Sequence, residues 1–439
     1  MVWVLLAVSL CLTALGYWHG LSLSVRAFEI GFLYPPRSDE GQYWHMAKQL
    51  LEGNVVAERG GYVSYRSVVY GASLAPILWV FGAGAEGIRA CRVFQVALAA
   101  LLPFLAALLA LQLAGWRRRG YIAAMIVLPA VAWNDLTWVS AKGLYGDTHG
   151  AVLLLVGCVL LFGALASPRR QLWALAAGVA LGTAALIEFA LLPAVLLACG
   201  HLVYRTVRQS LRYRAPGEWP SLRLPGVALV ATLGALVVVA ALGLRNQAHT
   251  GQFFISSKGG VNFYIGNHEH ANGRYTSVSF KKAPEGELER NRYFWRKARL
   301  YLAKQPGHFA AGLWDKWERL QRELGKQYVV GETRLGLLAR LLLYGLLANG
   351  LVPLVAPLCR QRLAEGFLGV LVLVNVALVV LVFVYWRYVL SVVLLGPVLA
   401  CVLALRWGEW GWQRRECVFR ELRRWARGKR RTSIVGPEP

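Results

Sequence analysis

Carboxylates are scarce in this chain: 23 Asp and Glu stand against 48 Lys and Arg in 439 residues. Charged residues of both signs make up only 16%, while 57% are hydrophobic and the mean hydropathy is +0.46. That is too apolar for a soluble protein of this length, and long apolar runs point to an integral membrane protein. The seven cysteines (11, 91, 158, 199, 359, 401 and 417) include no Cys-x-x-Cys pair and no His/Cys ligand spacing. Neither a disulfide framework nor a zinc site is supported. No phosphate-cradling glycine loop appears, which disfavours a nucleotide-sugar substrate. The first apolar run lacks the basic start of a leader peptide, so residues 2–17 read as a retained first helix. The net charge of +25 would suit nucleic acid. Most basic residues lie between apolar runs, however, where membrane topology accounts for them, so nucleic acid is not expected as a partner.

Apolar runs occur at about 2–25, 64–84, 90–115, 120–138, 148–166, 171–207, 224–244, 335–358, 364–385 and 388–406. The connections at Arg117-Arg118-Arg119, Arg169-Arg170, 205–223, Arg360-Gln361-Arg362 and beyond Arg406 are strongly basic and are assigned to the cytoplasmic side. Connections around Asp39, Asp147, Glu188 and Arg387 then fall on the outer side. For this alternation to close, run 171–207 crosses twice, since about 55 Å of helix is too long for one crossing. The break belongs near Glu188. Run 64–84, with Arg66, Pro76 and several glycines, does not cross and is read as an interfacial helix. The expected fold is an all-α integral membrane protein of about ten transmembrane helices, with both ends cytoplasmic. Its parts are a first helix (1–25), a first outer loop carrying an acid pair and interfacial helices (26–88), and helices 2–7 (89–244). A second outer region (245–334), helices 8–10 (335–406) and a basic tail (407–439) follow. Region 245–334 holds 16 Lys and Arg against 8 Asp and Glu. Long loops escape the positive-inside rule, so a basic outer loop is permitted and hints at an anionic ligand. The tail, with Trp425, reads as an anchor to anionic membrane lipid.

The carboxylates are the candidates for chemistry, because charge close to a bilayer is costly. Asp39 and Glu40 open a stretch in which Tyr43, Met46, Ala47, Leu50 and Leu51 fall at helical spacing. Asp39 then reads either as a helix cap or as a general base that takes a proton from an acceptor. Glu40 points about 100° away on such a helix. Asp147 lies between glycines ahead of a helix beginning near Thr148, as a cap or as a second carboxylate that positions an acceptor or a metal. His149 reads as a helix-start residue. Glu188 reads as a carboxylate paired inside the bundle. Arg59, Arg66, Lys142, Arg245 and Arg387 are the basic candidates for a departing phosphate, with membrane-interface anchoring as the alternative. The stretch from Gly259 to His268, with Asn262, Phe263, Tyr264 and Asn267, reads as a strand between glycine turns, suited to a sugar face or to a plain turn.

Four stretches, in order, resemble the GT-C superfamily of polytopic membrane glycosyltransferases. The likeness is to its family-39-like bacterial branch, related to protein O-mannosyltransferases and aminoarabinose transferases. They are Asp39-Glu40-Gly41-Gln42-Tyr43-Trp44 with Leu50-Leu51-Glu52-Gly53; Asp147; Arg245-Asn246 through Gly251-Gln252-Phe253 to Asn262-Phe263-Tyr264-Ile265-Gly266-Asn267; and Arg387-Tyr388 before a helix containing Pro397. The resemblance spans 39–400, and the third stretch is its most specific part. It implies a GT-C-type bundle, an active site at the outer face, a polyprenyl-phosphate-linked sugar donor and an acidic base. Asp39 matches the family's catalytic carboxylate, and Arg66 matches a basic position in the following loop. Glu188 stands where many members carry a basic residue.

On this reading the chain sits in a bacterial inner membrane with its site facing the periplasm, and moves a sugar to a glycan, lipid or protein acceptor with inversion. Asp39 is the catalytic base. Glu40 and Asp147 position the acceptor or a metal. Arg66, Arg245 and Arg387 hold the phosphate, while Tyr43, Asn262, Tyr264 and Asn267 shape the sugar site. No cofactor is assigned, and a divalent cation at Asp39, Glu40 and Asp147 is left open, since such sites lack a signature at this spacing. A transporter or flippase of an anionic lipid-linked glycan is the alternative from another class. It would carry ionisable groups deep in the helices and broken repeats, and no repeat is seen. A lipid-diphosphate-dependent ligase or polymerase is a third, with basic rather than acidic catalytic residues as its signature.

Overall fold

A computed structural model describes residues 11, 39–54, 62–132, 134, 137, 141, 143–167, 169–212, 223–273, 278–327, 363–382, 390, 394–402 and 404–405. The described residues are helical or loop throughout. Among the described residues six helices are long and apolar enough to cross a membrane, and the chain is a multi-pass membrane protein. The expected crossings at 2–25 and 335–358 lie outside the described residues, and that at 388–406 lies partly outside them.

After residue 38, the described chain forms α1 (Asp39–Leu51) and α2 (Val68–Phe81). Helix α1 buries Tyr43, Met46 and Ala47, but Leu51 at its last turn is exposed rather than part of the buried stripe. At 14 residues α2 is about 21 Å long, short of a bilayer core. The bundle is formed by α3 (Ala85–Ala114), α4 (Arg118–Ala132), α5 (Asp147–Ala166), α6 (Arg170–Ile187), α7 (Leu192–Arg212), α8 (Arg223–Thr250) and α12 (Leu363–Leu381). Its core is made almost wholly of Leu, Val and Ala, from these helices and from residues between Leu390 and Val402. Leu101 and Phe104 on α3, Leu172 and Val179 on α6, and Leu233 and Val237 on α8 are exposed, as faces turned to lipid tails require.

The α6–α8 contact shows how close packing is reached without a hydrophobic drive between helices. A Cβ on Gly178 would lie 2.0 Å from the Ala231 carbonyl oxygen, and one on Gly182 would lie 2.8 Å from that of Ala235. Two small residues four apart on each helix let the backbones touch.

Run 171–207 breaks where its lone carboxylate stands. Helix α6 ends at Ile187, Glu188 is extended (φ −118°, ψ 91°), and a 3₁₀ turn (Phe189–Leu191) leads into α7. This break, the start of α5 and the C-terminal ends of α8 and α12 share one end of the bundle. There they meet α1, α2 and three further helices, α9 (Gly259–Gly266), α10 (Glu287–Lys304) and α11 (Pro306–Gln327). Residues 259–266 are helical, not the expected strand. Val261 and Ile265, one helical turn apart, are buried against Phe294 of α10. The Gly260 N–H donates to Asn291 Oδ1 at 2.6 Å, and a Cβ there would lie 2.4 Å from the Asn291 carbonyl oxygen. Packing against α10 overrides the local turn signal of the glycines.

Candidate active site

At this end lies a cavity of about 590 Å³. Asp39, Tyr43, Tyr65, Arg66, Glu188, Lys258 and Asn262 make its polar part. Ile187, Phe189, Leu192 and Pro193 from the broken helix, and Leu378, Val379, Leu381 and Val382 from α12, make an apolar wall. One space thus offers charge on one side and hydrocarbon on the other.

Asp39 stands in the first turn of α1, where the helix dipole favours a carboxylate. Arg66 Nη2 donates to Asp39 Oδ1 at 2.5 Å, and its Nε donates to Gln42 Oε1 at 2.7 Å. Gln42 lies three residues after Asp39, so one face of α1 grips the guanidinium at two points. The Arg66 side chain is 11% exposed and that of Asp39 33%. Burial, the largest single influence, lowers the Arg66 pKa, but Asp39 together with Tyr43 and Tyr65 more than offsets it and the net direction is upward. Arg66 and Lys258 both stand over the Tyr65 ring, at 5.8 and 5.3 Å from its centroid.

Loop 62–67 is fixed by a carboxylate from α10. Glu287 accepts from the Val63 N–H at 2.7 Å, from the Ser64 N–H at 3.0 Å and from the Ser257 hydroxyl. Arg245 joins the same bracket: its Nη1 donates to the Val63 carbonyl at 3.0 Å and to Asn246 Oδ1 at 2.9 Å. Arg245, expected to face a phosphate, does not line the cavity.

Glu40 turns away from Asp39, as adjacent helical positions must. It accepts from Arg92 Nη2 at 3.3 Å, neither residue lining the cavity, and a Cβ on Gly143 would lie 2.2 Å from its Oε1. Gln95 Nε2 donates to the carbonyls of Gly143 (2.5 Å) and Tyr145 (3.0 Å) and its Oε1 accepts from the Tyr70 hydroxyl at 2.8 Å. This holds the loop that leads to Asp147, which is itself buried at the start of α5. His149, two residues on, is buried with its ring 5.0 Å from Tyr70 and 5.7 Å from Phe94.

Of the sequence candidates, Asp39, Tyr43, Arg66, Glu188 and Asn262 meet at the cavity. Glu40, Asp147, Arg245, Tyr264 and Asn267 surround it without lining it, and Arg59, Lys142 and Arg387 lie outside the described residues. Asn262 Oδ1 is buried and accepts no hydrogen bond among the described residues. Asn267 is drawn elsewhere: its Nδ2 donates to Phe263 O (2.9 Å) and Leu381 O (2.8 Å), and its Oδ1 accepts from Lys316 Nζ at 2.6 Å. Lys258, Gln42 and the Phe263–Trp295 stack (centroids 4.9 Å apart) are additions. Only Gln42, at i+3 from Asp39, carried a usable sequence signal. Asp39 and Glu40 are each bound to a different arginine, and no group of three His, Cys, Asp or Glu side chains gathers among the described residues. Asp39, Glu40 and Asp147 are thus not gathered into one cluster.

No protein-family model and no curated protein matches the chain. Among solved structures it is similar to ArnT from Cupriavidus metallidurans bound to undecaprenyl phosphate, at 18% identity and a TM-score of 0.48, over 92% of this chain and 61% of that one. The apo state of that protein gives 17% and 0.45, over 85% and 57%. The archaeal oligosaccharyltransferase AglB from Archaeoglobus fulgidus, in complex with an inhibitory peptide and a dolichol-phosphate, gives 12% and 0.41, over 98% and 52%. The chain thus spans between about half and just over three fifths of the length of these proteins.

Proposed function

We propose that this chain is a membrane glycosyltransferase that takes a sugar from a polyprenyl-phosphate carrier and passes it to a glycan, lipid or protein acceptor on the periplasmic side of a bacterial inner membrane. The observation that carries the reading is the Asp39–Arg66 pair at the polar side of a cavity whose opposite wall is apolar. A polyprenyl phosphate matches both halves: its tail lies along the α12 and α7 wall, and its phosphate meets Arg66 and Lys258. Arg387 is the third phosphate ligand in this reading. Arg245 acts indirectly, by holding the Val63 carbonyl of the loop that carries Arg66.

The phosphate competes with Asp39 for the guanidinium, so donor binding loosens the ion pair and leaves the carboxylate to receive a proton. The acceptor oxygen attacks the anomeric carbon, its proton passes to Asp39, and the bond from that carbon to the phosphate oxygen breaks. The electron pair leaves with the phosphate, whose growing charge Arg66 and Lys258 stabilise. One base and one displacement give inversion; retention by double displacement needs a second carboxylate at the anomeric carbon. Tyr43 and Asn262 face the sugar directly, while Tyr264 and Asn267 shape its surroundings through α9. Glu40 and Asp147 hold the platform beneath Asp39 on which the acceptor rests.

The test uses purified protein in lipid nanodiscs with a panel of polyprenyl-phosphate sugars and candidate acceptors, following release of free polyprenyl phosphate by mass spectrometry. Release by wild type, absent in a folded Asp39→Asn protein that still binds donor, is the expected result. In proteoliposomes, donor that crosses the bilayer without losing its sugar would replace this reading with the transporter.

A further inference from the structure

Helix α10 changes character after its first turn. From Arg290 to Lys304 it carries six Lys and Arg and no Asp or Glu. Its inner side is accounted for: Phe294 and Ala298 are buried, and Trp295 lines the cavity and stacks on Phe263. Arg292, Arg296 and Arg299 share another face, at helical spacing, and all three are exposed. Arg292 Nη2 donates to the neutral Gln252 Oε1 at 2.6 Å. None of the three forms an ion pair among the described residues. Like charges on adjacent turns destabilise a helix, so this register does not serve α10 itself.

Phe253 sets the level of this face against the bilayer. After α8 the chain reverses at Gly251 (φ 72°), and the Phe253 ring lies back on that helix: a Cβ on Gly243 would stand 2.2 Å from its Cζ. Gly243 is about two turns before the end of α8. Phe253 and Leu244 are both exposed, so apolar surface of the kind that faces lipid tails reaches the last turns of α8. Gln252, the neighbour of Phe253, is the residue that Arg292 holds. The arginine face therefore begins at the rim where the apolar surface of the bundle ends. Leu300, four residues after Arg296, is exposed on the same side. Basic and apolar side chains mixed on one helix at this level are what an interfacial helix carries.

We propose that the Arg292–Arg296–Arg299 face of α10 docks on the headgroups of anionic phospholipids in the membrane surface at this end of the bundle. The guanidinium is always charged and matches phosphate with two donors at once. Each arginine near an anionic bilayer surface strengthens the contact about fivefold. The inference stands independently of the transferase reading.

The test measures hydrogen–deuterium exchange of residues 290–304 in the full chain, in nanodiscs of phosphatidylcholine alone or mixed with phosphatidylglycerol. Wild type should exchange about tenfold more slowly across this segment in the anionic bilayer, and high salt should shrink the difference. Arg292→Gln/Arg296→Gln/Arg299→Gln should exchange alike in the two bilayers. Its three side chains are exposed, and unchanged exchange across 170–187 checks that it folds. Should it fail that check, Arg296→Gln, which has no hydrogen bond to lose among the described residues, should shed part of the difference. Equal exchange of wild type in the two bilayers overturns the proposal, and so does a folded variant that keeps the full difference. Polygalacturonate, a soluble polyanion, is the third arm. If it slows the segment in phosphatidylcholine more strongly than phosphatidylglycerol does, the face takes a soluble acidic partner and the proposal is overturned; a weaker effect supports the membrane.

Discussion

Lys316 of α11 closes the end of membrane helix α12 through Asn267. Its Nζ donates to Asn267 Oδ1 at 2.6 Å and to the Leu381 carbonyl at 3.4 Å, and the side chain is only 2% exposed. The last carbonyls of α12 have no partners within the helix, and a cation there also favours the dipole. Asn267 and Lys316 thus tie the amphipathic layer to the bundle beside the cavity wall.

Burial pushes the Lys316 ammonium down to about 8 from its ordinary 10.5. The folded state then binds fewer protons than the unfolded state between those values, so this group makes stability rise with pH across that window. Below about pH 8 both states are protonated and the group adds no slope. Thermal unfolding of Lys316→Met in detergent, compared with wild type between about pH 8 and 10.5, should show a flatter pH dependence. Equal slopes in the two proteins would mean that Lys316 is not buried as a cation.

Gly178 makes a sharper stability test, since what a side chain would meet there is backbone and not a movable side-chain end. Gly178→Ala must part α6 from α8 at the Ala231 carbonyl. Overpacking of this kind costs about 1–3 kcal/mol. Chemical denaturation should show the loss, while Gly200→Ala, where a Cβ meets nothing within 4 Å, should leave stability nearly unchanged.

These pairings show what the sequence could and could not disclose. The separation of Asp39 from Glu40 followed from helix geometry alone, and the break at Glu188 from a single carboxylate in a run too long for one crossing. Helix α9 was hidden because its glycines signal turns, whereas the structure uses Gly260 for close approach to α10. Asn267 has the composition of a sugar ligand but is claimed by helix ends far away in sequence. Lys258 and Trp295 reach the cavity only through tertiary packing, and nothing local to them marks a site.

Glu287 should act on the donor without touching it. It holds Val63, Ser64 and Ser257 through one carboxylate, and so fixes the loop that carries Arg66. Hydrogen bonds to a charged group contribute about 1.5–3 kcal/mol each, and Glu287→Ala removes three acceptor contacts at once. The expected outcome is a raised donor KM with a smaller change in kcat, read from donor titrations at saturating acceptor. Glu287→Gln should recover part of the affinity, because its amide oxygen still accepts. A fall in kcat alone, with donor KM unchanged, would count against a positioning role.

The Asp39–Arg66 pair allows structure and chemistry to be separated. Each single change, Asp39→Asn or Arg66→Gln, removes one partner of a part-buried pair. Solvent reaches Asp39, so the stability loss should be modest, about 1–2 kcal/mol, below that of a fully buried pair. Turnover should fall far more in Asp39→Asn, about 10²- to 10⁴-fold, as loss of a general base does. The exchange Asp39→Arg/Arg66→Asp restores opposite charges across the same gap and should recover most of the unfolding temperature. It places the carboxylate on loop 62–67 and the guanidinium on α1, so proton acceptance and phosphate contact are both displaced. Turnover should therefore stay at the level of Asp39→Asn. If the exchanged protein regains both stability and turnover, the pair is a structural clasp and the base must be sought elsewhere on the cavity.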